Sequence, residues 1–70
     1  MIKLREERLK FGLSQSELAR RTGTMHPSSI YQLEHGIRTP GFKQRFLIEK
    51  VMSEAGWNGE GDLFEEFEER

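Results

Sequence analysis

The 70-residue chain has no cysteine, only two prolines, one tryptophan and one tyrosine, and no long apolar run. Without cysteine there is no disulfide framework, no thiolate nucleophile and no cysteine-based zinc site. No stretch approaches the roughly 20 apolar residues of a membrane span, and the opening MIKLREERLKF is charged from its start, so a soluble, cytoplasmic protein with no membrane partner is expected. His26 and His35 lack the surrounding ligands of a closed zinc site, and His35 is more simply a residue that suits the C-terminal end of a helix dipole. No metal or cofactor is expected. Ser28 and Ser29 beside His26 suggest a nucleophile and a base, but their position at a helix start explains them as capping or outward-facing residues. A chain of this length also leaves little room for a substrate pocket, so no enzyme is expected. It is one small domain, near the lower limit for a core without disulfides or metal.

What is present is strongly segregated charge. The formal net charge is −1, yet residues 1–50 carry ten Lys and Arg against five Glu, a balance of +5, while residues 51–70 carry one Arg against seven acids, a balance of −6. A basic body with an acidic tail fits binding to a polyanion better than the overall charge does.

The densest local signals lie between Ser14 and Gly36, SQSELARRTGTMHPSSIYQLEHG. Ser14 followed by Glu17 is a capping-box spacing that starts a helix at Gln15, with Leu18 and Ala19 facing inward and Gly23 ending it near Thr22. Pro27 suits the first turn of a second helix and biases His26 out of the α region, so the chain must turn between Gly23 and His26. From Pro27 to about His35, Ile30 and Leu33, continued by Ile37, recur at helical spacing, with Ser28, Ser29, Tyr31 and Gln32 mostly off that stripe. Two short helices joined by a sharp turn, the second with a small polar face, predict a helix-turn-helix whose second helix fits a major groove.

Around this unit, residues 2–11 predict a first helix with Leu4, Arg8 and Phe11 on one face. An arginine in an apolar stripe needs a carboxylate partner, and Glu34 has the matching problem beside Leu33; the two either pair or snorkel to solvent. Thr39 and Pro40 predict the start of a long helix over 40–55, on which Leu47, Ile48, Val51, Met52 and Ala55 form the main stripe and Phe42 and Phe46 widen it. Beyond Gly56 the text WNGEGDLFEEFEER predicts a glycine-containing joint and an acidic amphipathic helix over 62–69, capped by Asp62 and sharing Leu63, Phe64 and Phe67 on one face. The expected fold is therefore all-α, a compact five-helix arrangement, with residues 1–56 as the helix-turn-helix domain and 57–70 as the joint and tail.

Arg8, the run Gly12-Leu13-Ser14-Gln15, Glu17-Leu18-Ala19, Gly23, Ile30, Leu33, Glu34, Gly36, Arg38 and Pro40 together resemble the lambda-repressor and Cro type of helix-turn-helix DNA-binding domain, over Leu4 to about Ala55. The resemblance implies that residues 27–35 form the recognition helix and that Arg8 and Glu34 make the buried ion pair found in some members. It implies that Gln15 touches a phosphate and braces the recognition helix, that Ser16, Arg38, Thr39 and Lys43 also approach the DNA backbone, and that Ser28, Ser29 and Gln32 reach base edges. Two departures shift this pattern. Six residues separate Gly23 from Ile30 where five are usual, and Pro27 stands where members often place a Gln or Arg reader, which moves readout toward Ser28, Gln32, Tyr31 or His26.

The function expected is a sequence-specific transcriptional regulator, a repressor, that binds operator DNA as a homodimer. Trp57, Leu63, Phe64 and Phe67 are the expected association surface, since aromatics on a tail call for a partner. The alternative is a protein-interaction module of the same fold, antitoxin-like or an adaptor, gripping a basic partner with the acidic aromatic tail.

Overall fold

A computed structural model describes residues 2–65. Among the described residues lie four α-helices: α1, Lys3–Lys10; α2, Gln15–Thr22; α3, Pro27–Glu34; and α4, Phe42–Ala55. The first three have eight residues each, below the ~12–15 at which an isolated helix holds itself, so packing sustains them. Leu4, Leu18, Ile30, Leu33, Ile48, Met52 and Leu63 are fully buried and come from all four helices and the tail. Each such burial is worth roughly 1.5–3 kcal/mol. The helix-turn-helix pair, α2 with α3, makes the most extensive contact, and α4 packs across α2.

Local sequence sets the helix ends. The Ser14 hydroxyl accepts the Glu17 backbone N–H at 3.0 Å, starting α2 at Gln15 as expected. The reciprocal half of the capping box is absent, because the Glu17 carboxylate faces Arg20 and Arg21 instead. Gly23 takes φ 81°, a left-handed conformation that costs other residues energy, and ends α2. Pro27 opens α3 from an extended His26 at φ −103° and ψ 155°. After α3, Ile37 N–H returns to the Gln32 carbonyl at 2.9 Å across Gly36 at φ 71°, so the chain leaves the helix axis abruptly.

That exit overturns two expectations. Ile37 does not continue the α3 stripe; it lies beyond the helix and is 67% exposed. The long helix begins two residues later than expected, with Gly41 rather than Thr39 at its N-cap. Gln44 decides this: its side-chain oxygen accepts the Gly41 N–H at 3.1 Å, satisfying an end donor that Thr39 would have had to serve from further back. The later start goes with a third correction, since Phe42 and Phe46 do not widen the buried stripe but stand 91% and 60% exposed.

The fifth helix expected over 62–69 does not start at Asp62. Glu65 N–H bonds the Asp62 carbonyl at 3.1 Å and Phe64 N–H bonds the Asp62 carboxylate at 2.9 Å, which makes residues 62–65 a turn. Phe67 and the remainder of that expected helix lie outside the described residues. The tail is also tied to the domain. Trp57 N–H bonds the Met52 carbonyl at 2.9 Å, and the Leu63 and Glu65 carbonyls accept Leu4 and Lys3 N–H at 2.7 and 2.9 Å. Tail carbonyls thus satisfy end donors of α1 that no helical partner could reach.

Candidate nucleic-acid interface

The α3 helix is held from behind by one buried ionic cluster. Arg8 on α1 donates from Nε to Glu34 Oε2 at 2.6 Å and from Nη2 to Oε1 at 3.1 Å, a two-pronged contact that matches the flat guanidinium to the flat carboxylate. Its third donor, Nη1, reaches the Leu13 carbonyl at 2.7 Å. Gln15, at the start of α2, donates from Nε2 to Glu34 Oε1 at 3.2 Å. The side chains of Arg8 and Glu34 are 6% and 0% exposed, and among the described residues no buried side-chain polar atom lacks a partner. Of the two alternatives for these residues, pairing is what the structure has. Gln15 thereby ties the start of α2 to the last residue of α3.

The turn between α2 and α3 is fastened by a residue that sequence reasoning passed over. The Thr22 hydroxyl donates to the Ala19 carbonyl at 2.7 Å and accepts the Met25 N–H at 3.2 Å, while the Met25 side chain packs against the core. The longer turn is thereby closed by one threonine. A buried Thr at the last position of a helix, just before a left-handed glycine, is the signal that points to it.

With its inner side fixed through Ile30, Leu33 and Glu34, α3 turns its other side outward. Ser28 and Tyr31 are exposed, Ser29 and Gln32 are half-buried at the rim of the same side, and His26 is exposed just before the helix. Tyr31 leans on His35 with ring centroids 4.1 Å apart, which orients both rings along the outer face. Ser16, Arg38, Thr39 and Lys43 are exposed at the start of α2, in the α3–α4 loop and in the first turn of α4. Side chains that can pair with bases therefore stand on one short helix, and cationic and hydroxyl side chains stand on the segments flanking it.

Glu17 sits between two cations on the exposed side of α2, 2.6 Å from Arg20 and 2.9 Å from Arg21. The Arg20 guanidinium, with Arg21 second, holds its carboxyl below the usual carboxylate range, and Glu17 in turn raises Arg20. Their charges are thereby partly answered within α2.

Of the expected association residues, Trp57, Leu63 and Phe64 pack against their own chain. Trp57 and Leu63 are 8% and 1% exposed within the single chain, buried in the same core as α1–α4. Phe64 is half-buried, with the Arg45 guanidinium 5.0 Å from its ring centroid and Arg45 also 3.2 Å from Asp62. The Arg45–Asp62–Phe64 clasp joins residues too far apart in sequence for local pattern to reveal. Among the described residues no helix is long and apolar enough to cross a membrane, and no group of three His, Cys, Asp or Glu is placed to hold a metal ion.

The fold and this outward-facing α3 define a helix-turn-helix DNA-binding domain. Residues 4–52 match the helix-turn-helix family model, and the chain belongs to that family, the lambda-repressor and Cro type. No curated protein and no solved structure matches the chain.

Proposed function

We propose that the protein is a sequence-specific transcriptional regulator, a repressor working in the cytoplasm, that reads operator DNA in the major groove with α3 and binds as a homodimer. The observation that carries this reading is the division of α3: one side is clamped by Arg8, Gln15 and the core, and the other presents Ser28, Ser29, Tyr31 and Gln32 outward. A reader must be held rigidly and still offer hydrogen-bonding groups to base edges. Gln32 is the main reader, since its amide can pair bidentately with adenine; Ser28, Ser29, Tyr31 and His26 assist. Gln15, Ser16, Arg38, Thr39 and Lys43 position the helix on phosphates. The interaction-module alternative depended on free tail aromatics, and the burial of Trp57 and Leu63 weighs against it.

Selection from random duplexes at low and moderate salt tests the proposal. A regulator yields one enriched sequence that survives the higher salt, because phosphate contacts weaken steeply with salt while base contacts persist. Enrichment of no sequence at either salt contradicts it.

A further inference from the structure

We infer that the outer face of α4 is the surface on which two copies of this chain associate, the Phe42 side chain of each entering a groove beside Phe46 of the other. The inference rests on the dimer reading above and supplies the surface it lacks, because Trp57 and Leu63 are consumed by the core.

Phe42 and Phe46 are one helical turn apart on the same face of α4 and are 91% and 60% exposed. Together they leave on the order of 300 Å² of aromatic surface in water, comparable to the largest patch a whole monomer normally shows. Immediately beyond Phe46 lies a shallow groove of about 570 Å³, walled by Phe46, Glu49, Lys50, Ser53, Glu54 and Trp57. A protruding ring and a recess that can take it therefore occupy one face of one helix, in sequence order.

A second copy is the occupant that satisfies both at once. In a two-fold contact residue i of one copy meets j of the other and j meets i, so two α4 helices lying antiparallel seat both Phe42 rings in both grooves. Charge agrees with this arrangement. The groove wall carries Glu49 and Glu54 against Lys50, whereas the protruding Phe42 is followed by the exposed Lys43. The two rings supply under half of the ~800 Å² per partner of a standard stable interface. The groove walls supply more area, and the result is an association that DNA reinforces.

Sedimentation equilibrium of the full chain without DNA, over a wide concentration range, tests the inference with wild type, Phe42→Glu and Phe46→Glu. Both positions are exposed, so the helical circular dichroism signal should match wild type. The wild-type mass is expected to rise from one chain to two with concentration, and each variant to weaken that association at least tenfold. Phe46→Glu should still bind an isolated half-site as wild type does, since Phe46 is not among the DNA-contacting residues. A wild type that stays monomeric throughout, as it would if this face served a different partner, overturns the inference, as does a dimer indifferent to both changes. If the dimer forms and responds but no DNA sequence is selected, the interface stands and the regulator reading fails.

Discussion

Glu34 has no exposed side-chain surface, yet through Arg8 and Gln15 it ties α3 to α1 and to the start of α2. Removing either member of the Arg8–Glu34 pair leaves a buried charge uncompensated, so Arg8→Ala and Glu34→Ala should each cost about 3–5 kcal/mol. The double variant should lose less than the sum, because the second change removes the charge that the first orphaned; additive losses in a urea double-mutant cycle would show that the two do not interact. On the outer side of α3 the test is of readout. Gln32→Ala should cost about 1–3 kcal/mol on the preferred site and relax preference at one base pair, whereas Arg38→Ala should weaken all sequences alike and lower the salt slope by about 1. An unchanged base preference in Gln32→Ala removes it as a reader. Glu17 gives a pH signature. Its carboxyl is held low chiefly by Arg20, so the favourable contribution is present above the ordinary carboxylate range and is lost as pH falls through the depressed value. In an NMR titration Arg20→Ala should raise the Glu17 midpoint toward the ordinary value, and no movement would mean that the contact does not form in solution.

At the scale of elements, the tail is the part whose role the structure changes most. Residues 57–65 contribute Trp57 and Leu63 to the core and two carbonyls to the end of α1. Leu63→Ala should therefore cost about 2–5 kcal/mol, and removal of residues 57–70 should melt helical signal along with α1. A truncated chain that keeps full helicity and stability would show that these contacts hold nothing. The helices α2 and α3 were legible in the sequence to within a residue because their signals are local: Ser14, Gly23 and Pro27 act on neighbours within a single turn. The Arg8–Glu34 pairing was narrowed by the conflict of two charges in apolar stripes and by the resemblance, though not decided by pattern. What pattern could not show depends on distant partners or competing caps. Gln44 outbids Thr39 for the start of α4, Asp62 turns its own backbone instead of opening a helix, and Phe42 and Phe46 look like core until the α3–α4 loop sets their direction.

At the scale of the whole molecule, a basic body that exposes Arg38 and Lys43 beside α3 should approach DNA with its reading helix leading, while the acidic residues after Gly56 are repelled by the same phosphates. A homodimer with one α3 per half-site should prefer half-sites about 10–10.5 base pairs apart, one helical turn, and inserting about five base pairs between them should abolish that preference. The most direct test of the central claim, sequence-specific reading by α3, is the affinity of wild type and Gln32→Ala for the selected operator and for a scrambled duplex, measured against salt. Wild type should prefer the operator by roughly 10³-fold or more at moderate salt, with the preference reduced in Gln32→Ala and with both duplexes showing steep salt dependence. Equal affinity of wild type for operator and scrambled DNA at every salt concentration would contradict it.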